Sequence, residues 1–257
     1  MIRHILEDNI MIARFENPPT NSITFETLKL LREAIKNVND NNSIKGLIIT
    51  GEGRFFSSGF DLPVFLSFRD RSDVLNFFNV EEELLFELFT CKKPVIAAIN
   101  GHCAAGGFIL SMGCDYRIAV DNPKPKIGMT EIKIGLGLTI AEMELVRWGV
   151  NSNRDLRDVM FNGETYSFQD AKDKGYIDEL VDAENLIVRA KKKICYWIDQ
   201  PERAFISLKA AIKKPAAQSI RERLDNENWQ DDLCAIILNP GIRTILEKVQ
   251  KSMTGGK

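Results

Sequence analysis

One stretch of small residues has the pattern of an anion-binding turn. An apolar run over residues 94–99 predicts a buried strand, Asn100-Gly101 predicts a turn, and Gly106-Gly107 opens a helical run. A helix that starts in this way presents backbone N–H groups without intrahelical partners, at its positive end. Small residues let a ligand approach this backbone closely. The stretch therefore predicts either an oxyanion hole or a glycine-packed crossing of strand and helix, and the residues alone leave both open.

Glu131 is the carboxylate whose neighbours suggest acid–base chemistry. It follows Gly128 in an irregular stretch, and Ile132, Ile134 and Leu136 surround it with apolar side chains. A carboxylate in apolar surroundings is either paired or has a raised pKa, and a raised pKa suits a general base. An ordinary exposed loop glutamate fits the same residues and is the more common case. The residues alone therefore favour the exposed glutamate.

Other reactive groups lack a productive spacing. His102 and Cys103 are adjacent, so in extended chain their side chains point to opposite sides and do not easily share a proton. The sequence contains no H-E-x-x-H, no phosphate loop of the Walker type and no G-x-G-x-x-G. We therefore predict that the protein has no metal site and needs no nucleotide cofactor.

Composition places further limits on the function. The 257 residues are 44% hydrophobic and 27% charged, with a net charge of −2, which is typical of a globular protein without a nucleic-acid footprint. The longest apolar runs are under about ten residues, which excludes a transmembrane helix, and early charges argue against a signal peptide. Five cysteines without a C-x-x-C spacing fit free thiols in a reducing compartment. These features predict a cytoplasmic protein.

The elements that would position these residues follow an α/β pattern. Apolar patterning predicts strands over 2–7, 10–15, 45–50, 94–99 and 116–120, and helices over 24–39, 72–89 and 139–148. Asp8-Asn9 predicts a hairpin turn, and the later strands lead into helices, as in repeated right-handed crossovers. From residue 183 onward we predict helices broken at Pro201, Pro215 and Pro240. We therefore divide the chain into an α/β core over 1–195 and a helical region over 196–257.

Four segments resemble the enoyl-CoA hydratase/isomerase (crotonase) superfamily, in the family's order and spacing. They are RFFSSGFDL at 54–62, AINGHCAAGG at 98–107, CDYRIA at 114–119 and IGMTEIKIG at 127–135. Residues 163–181 are also similar, and the likeness covers about residues 1–195 well and the helical tail loosely. Four motifs in register are far more specific than any one of them.

The resemblance implies a fold and a site. The fold is a crotonase-like ββα spiral core with a C-terminal helical trimerisation region, assembled as a homotrimer or hexamer. The substrate is an acyl-CoA thioester, and coenzyme A enters only as part of that substrate. The oxyanion hole consists of the backbone N–H groups of Phe60 and Gly106, and Glu131 is the catalytic carboxylate. No nucleic-acid or membrane partner is implied.

Further substrate contacts are implied at four positions of the same motifs. The resemblance assigns them to Ser58, Asp61, Leu62 and Ile109.

One departure from the family pattern bears on the reaction. Hydratases of this superfamily place two glutamates around the substrate C2–C3 bond; Glu131 matches the second, and Ile109 stands at the position of the first. Members that are similar to this chain at Asp121-Asn122-Pro123 and at Glu131, and that lack the first glutamate, are Δ3,Δ2-enoyl-CoA isomerases. The resemblance thus implies that Glu131 moves a proton from C2 to C4, while Ile109 forms an apolar wall that keeps water from C3.

Other functions stay open. Hydration, thioester hydrolysis or decarboxylation could use the same enolate, and a catalytically inactive crotonase-like binding or scaffold protein is an alternative of another class. Glu142 and Glu144 follow on the next predicted helix. Either could supply a second acid, but we interpret both as solvated charges on the helix face.

Overall fold

The chain folds into two sheets and eleven helices within the described part. The computed structural model describes residues 1–253. The strands are β1 Ile2–Glu7, β2 Ile10–Phe15, β3 Gly46–Gly51, β4 Phe55–Ser57, β5 Val95–Ile99, β6 His102–Ala104, β7 Tyr116–Val120, β8 Lys126–Gly128, β9 Thr165–Ser167 and β10 Glu179–Val181. The helices are α1 Phe25–Asp40, α2 Leu62–Ser67, α3 Arg71–Phe89, α4 Gly106–Gly113, α5 Ile140–Gly149, α6 Asn153–Asn162, α7 Phe168–Asp173, α8 Leu186–Ile198, α9 Ala204–Asn226, α10 Trp229–Ile237 and α11 Pro240–Met253. Short 3₁₀ segments are Glu131–Ile134, Ala183–Asn185 and Pro201–Arg203.

The two sheets are built from alternating strands of the chain. The large sheet has the order β1-β2-β3-β5-β7-β10, with β1 antiparallel to β2 and the other pairs parallel. The small sheet has the order β4-β6-β8-β9, antiparallel only between β8 and β9. Each of β3, β5 and β7 is followed by a short strand of the small sheet and then by helical structure. This repeat is a ββα spiral, and it confirms the predicted α/β class.

Local sequence explains the first elements. Asp8 and Asn9 adopt φ values of 52° and 60°, so the predicted hairpin turn has the left-handed backbone that matches strand twist. Thr24 begins α1 with a capping box, and the buried residues of α1 recur every three or four positions, which packs the helix on β2 and α3. Every residue of β3 is buried because α1 and α8 both pack against it.

The helical tail differs from the prediction at one proline. The helix α9 runs through Pro215 without a break, so the break predicted there is wrong. On the N-terminal side of this proline, Lys209 and Lys213 are buried and both form ion pairs with Asp115, which holds this part of α9 against the core. Tertiary contacts thus offset the hydrogen bond that the proline removes. The boundary at residue 195, which falls within α8, stays a prediction.

Two further sequence predictions concern the setting of the protein. Within residues 1–253, no helix combines the length and the hydropathy needed to cross a membrane. All five cysteines are free thiols, four of them buried. The cytoplasmic location that these thiols suggested stays a prediction.

Candidate active site

Two backbone segments meet at Gly59 and Gly106. Gly59 has a φ of +90°, and a Cβ added there would lie 2.7 Å from the Cβ of Ala105 and 2.8 Å from the backbone nitrogen of Gly106. Any side chain at Gly59 would therefore collide with the start of α4. Ala105, the residue before that helix, itself has a φ of 52°, an uncommon conformation for a non-glycine residue. The contact thus joins a glycine with a positive φ to a non-glycine residue in an uncommon conformation, and it leaves no room for a side chain at Gly59.

Two amides at this contact have no acceptor. Around Phe60, the amides of Ile23 and Asp61 bind the carbonyls of Gly59 and Ile23, which leaves the Phe60 N–H unused. Gly106 is the first residue of α4, so its N–H also has no intrahelical acceptor. Neither amide is bonded within residues 1–253. Two such donors can bind an oxygen atom that gains negative charge.

Glu131 is buried and only half satisfied. It begins the 3₁₀ segment after β8, and 7% of its surface is exposed. Its Oε2 accepts the Thr130 N–H at 2.8 Å, whereas its Oε1 has no hydrogen-bond partner within the described residues. Burial raises the pKa of Glu131 to about 7, against the lowering effect of the backbone donors. Near neutral pH this carboxylate can therefore both accept and return a proton.

Glu131 lies in the wall of a cavity of about 400 Å³. The remaining wall is mostly apolar: the rings of Phe60, Phe65 and Phe78 form one side, and Trp229 and Leu233 of α10 form another. The Phe60 ring stacks on Phe65, with ring centroids 5.3 Å apart. The cavity has the size and lining of a site for an extended apolar ligand with a few polar anchors.

Glu142 lines the same cavity, and its burial corrects a sequence-based interpretation. Only 3% of Glu142 is exposed, so the prediction that it is a solvated helix-face charge is wrong. The first turn of α5 faces inward, against α3 and α4, and carries Glu142 with it. Glu144 is half-buried and does not line the cavity; it pairs with Arg147 and with Arg223, and Arg223 does line the cavity.

Sequence analysis also missed two buried carboxyls on α3. Glu82 accepts the hydroxyl of Thr139 and the N–H of Ala141 at the start of α5, and Glu81 has a buried Oε2 without a partner in the described chain. A signal was present in the sequence. Apolar residues of α3 recur at helical spacing, and both glutamates fall on that apolar face.

The surroundings of these carboxyls shift their pKa values by different amounts. Burial, together with the negative charges of Glu82 and Glu131, raises the pKa of Glu142 to about 8. Burial and the charges of Glu142 and Glu82 raise the pKa of Glu81 well above its usual range. Burial also raises the pKa of Glu82 to about 7, but its donors at the helix N-terminus favour the anion. Glu142, whose pKa lies above neutral pH, therefore favours its protonated form there.

The other predicted site residues lie beside the cavity. Ser58 bonds to the hydroxyl of Thr20, and Asp61 caps α2 by accepting the Val64 N–H and the hydroxyl of Ser22. Leu62, the first residue of α2, packs against the core. None of the three lines the cavity that contains Glu131.

Ile109 lines a separate, small void of about 10 Å³. Gly106 and Glu81 share this void. Phe60 and Glu142 line both the void that contains Ile109 and the cavity that contains Glu131. Ile109 thus lies next to the predicted oxyanion donors.

Comparison with known proteins agrees with this architecture. A family model described as enoyl-CoA hydratase/isomerase matches residues 6–235. The chain belongs to the enoyl-CoA hydratase/isomerase family. This confirms the membership predicted from the four motifs, and with it the coarse expectation of an enzyme.

Relatives within the enoyl-CoA hydratase/isomerase family carry different names. The enoyl-CoA delta isomerase 1, mitochondrial, of Mus musculus is 26% identical over 247 residues, covering 94% of this chain and 84% of the relative. A probable enoyl-CoA hydratase of Bacillus subtilis (strain 168) is 25% identical over 249 residues, covering 96% of this chain and 95% of the relative. The family membership is therefore clear, whereas the names of the relatives divide between two reactions.

Solved structures in the family establish the fold. The crystal structure of human mitochondrial delta3-delta2-enoyl-CoA isomerase matches with a TM-score of 0.91 and 24% identity, covering 100% of this chain and 99% of that one. The match confirms the crotonase-like fold predicted from the motifs, including its C-terminal helices.

Proposed function

We propose that the protein is a Δ3,Δ2-enoyl-CoA isomerase in which Glu131 is the general base. The observation that carries this proposal is the buried, unpartnered Oε1 of Glu131 in the cavity wall. In the proposed reaction, Glu131 removes a proton from C2 of a 3-enoyl thioester. The electron pair delocalises onto the thioester oxygen, and the double bond moves to C2–C3 when C4 receives a proton.

The oxyanion hole in this proposal is formed by the N–H groups of Phe60 and Gly106. Both amides lack an acceptor within the described residues, and their segments are in contact. Donors placed in advance at a developing negative charge each contribute about 3–4 kcal/mol to lowering the barrier. The reaction only moves protons and electron pairs within the substrate, so it needs no cofactor beyond the coenzyme A that the substrate carries.

Hydration of 2-enoyl-CoA is the second candidate, and Glu142 favours it. The sequence-based argument for an isomerase depended on a single carboxyl at the site, but Glu142 is a second buried carboxyl in the same cavity wall, beside the exposed Glu227 and Asp232. Two carboxyls with different charge states can hold and activate a water molecule. The apolar cavity wall and the names of the isomerase relatives support the first candidate over this one.

A product analysis with 3-enoyl-CoA and 2-enoyl-CoA panels of several chain lengths distinguishes the candidates. We expect 2-enoyl-CoA to form from 3-enoyl-CoA at least about tenfold faster than 3-hydroxyacyl-CoA forms from 2-enoyl-CoA. Equal rates would replace the isomerase by the hydratase. Acyl-CoA binding in calorimetry without any product would instead indicate a binding or scaffold protein.

We also propose the predicted trimeric or hexameric assembly. The apolar residues of α10 do not carry this proposal, because Trp229, Leu233, Ile236 and Ile237 are buried or half-buried within one chain and line the cavity. Leu208 and Ile212 on α9 are instead 65% and 66% exposed. Contiguous apolar exposure of this kind is typical of interfaces. Light scattering should give at least three times the chain mass of 29.1 kDa, and a particle of one chain mass would contradict the proposal.

A further inference from the structure

The carboxyl of Glu142 is held in place on the cavity wall. Its Oε2 accepts the N–H of Thr139 at 2.8 Å, the backbone bond of a capping box at the start of α5. Helix α5 packs against α3 and α4, so this end of the helix is part of the core. Glu142 therefore faces the cavity of Glu131 from a rigid element rather than from a loop.

The groups around Glu142 keep it neutral. Glu82 is linked to Glu142 through Thr139. Glu82 accepts hydrogen bonds from the hydroxyl of Thr139 and the N–H of Ala141, so it accommodates the negative charge. Glu81 lines the same small void as Glu142, and its Oε2 is unpartnered at 2% exposure, which fits a second neutral carboxyl. A negative charge on Glu142 would add to this cluster without a compensating cation.

Arg223 is the cation of the cavity wall, and other carboxylates engage it. Its guanidinium donates to Glu227 at 2.7 Å and to Glu144 at 3.0 Å, both outside the Glu81–Glu82–Glu142 cluster. Arg223 therefore does not force Glu142 to ionise. Two other carboxyls of the cavity wall, Glu227 and Asp232, are exposed, and Glu227 is paired with Arg223. The buried carboxyls of the cavity are Glu131, with a free oxygen, and Glu142, which we take as the neutral acid.

We infer that Glu142 is a second catalytic residue, the acid that protonates C4 of the substrate after Glu131 has removed the proton from C2. The inference rests on the isomerase function proposed above. The C–H bond at C2 breaks and an O–H bond forms on Glu131; the O–H bond of Glu142 breaks and a C–H bond forms at C4. Glu131 ends the turnover protonated and Glu142 ionised, and the proton returns from Glu131 to Glu142 through water in the cavity.

The variant Glu142→Gln tests the role with little change in shape. Glutamine is neutral, as Glu142 is, and its carbonyl oxygen can accept the same N–H of Thr139. We expect kcat for isomerisation to fall about 10²-fold with KM nearly unchanged. The matched control is Glu87→Gln on α3, a half-buried glutamate that pairs with Arg32 and does not line the cavity, and it should keep the wild-type kcat. A wild-type kcat in Glu142→Gln would overturn the inference.

Isotope transfer gives a readout that a purely structural role would not change. In a single turnover with 3-enoyl-CoA deuterated at C2, the wild type should place no deuterium at C4, because that proton comes from Glu142 before any label has returned to it from Glu131. In Glu142→Gln, Glu131 alone must carry the label, so deuterium should appear at C4. Deuterium at C4 in the wild-type product would show a single carrier and overturn the inference. Should Glu142→Gln not fold, Glu142→Asp must lower kcat at least threefold, and an unchanged kcat would equally overturn it.

Failure of this inference can be distinguished from failure of the proposed function. If the wild type forms no 2-enoyl-CoA from any 3-enoyl-CoA, the isomerase proposal fails, and the role of Glu142 in it fails at the same time. If the wild type isomerises and only the label or variant results disagree, the function stands and Glu131 is the sole proton carrier.

Discussion

Replacing Glu131 by glutamine should lower kcat for double-bond migration by about 10²–10⁴-fold, while the affinity for acyl-CoA changes little. Glutamine keeps the shape of the side chain and can still accept the Thr130 N–H, but it cannot take a proton from C2. Steady-state kinetics on 3-enoyl-CoA measures the loss, and calorimetry with the product 2-enoyl-CoA measures the affinity.

The pH dependence of the wild type offers a second measurement of the same group. Glu131 acts as a base only when ionised, and burial raises its pKa to about 7. We therefore expect kcat/KM to rise with pH up to an apparent pKa near 7 and this rising limb to disappear in Glu131→Gln. Wild-type turnover in the variant, or a profile that is flat between pH 5 and 8, would remove Glu131 from the mechanism.

Replacing Gly59 by alanine should cost about 10²–10³-fold in kcat, because it would push apart the two amides of the proposed oxyanion hole. An added methyl group would lie 2.8 Å from the Gly106 nitrogen. Because alanine is strained at the positive φ of Gly59, the variant should also lose about 1–3 kcal/mol of its free energy of unfolding. Kinetics and urea unfolding on the same preparation separate the two effects.

Gly53→Ala is the matched control for this substitution. Gly53 also has a positive φ, +72°, but an added Cβ would meet no atom within 4 Å. The Gly53→Ala variant should therefore lose stability through a similar backbone strain and keep its kcat. If Gly59→Ala were as active as Gly53→Ala, the contact between Gly59 and Gly106 would have no part in catalysis.

The elements that the sequence predicted well are those with a clear period or a strong turn. The strands over 2–7 and 10–15 are observed with the predicted bounds, and α1 begins and ends one residue later than predicted. By contrast, β4, β6 and β8 have three residues each, too few for alternation to be visible. They form strands because the neighbouring large sheet determines which strands they pair with. This pairing depends on tertiary structure and not on the local sequence.

The candidate site was predictable in part for the same reason. The glycine contact and Glu131 each have local signals, small residues before a helix and a carboxylate among isoleucines, and their catalytic roles stay predictions. Glu142 has no such signal, since a glutamate at the third position of a helix is a common exposed cap. Its burial depends on α3 and α4 covering the first turn of α5, and it is visible only in the folded chain.

The wall that α10 contributes to the cavity has a consequence for how the protein is made. Phe60 and Glu131 belong to segments that leave the ribosome long before Trp229 and Leu233, which complete the same cavity. Domains fold as synthesis proceeds, and contacts between distant segments form late. A nascent chain can therefore bring Gly59 against Gly106 while its binding space is still open on one side. Docking of α10 is therefore the step that completes the wall of this cavity.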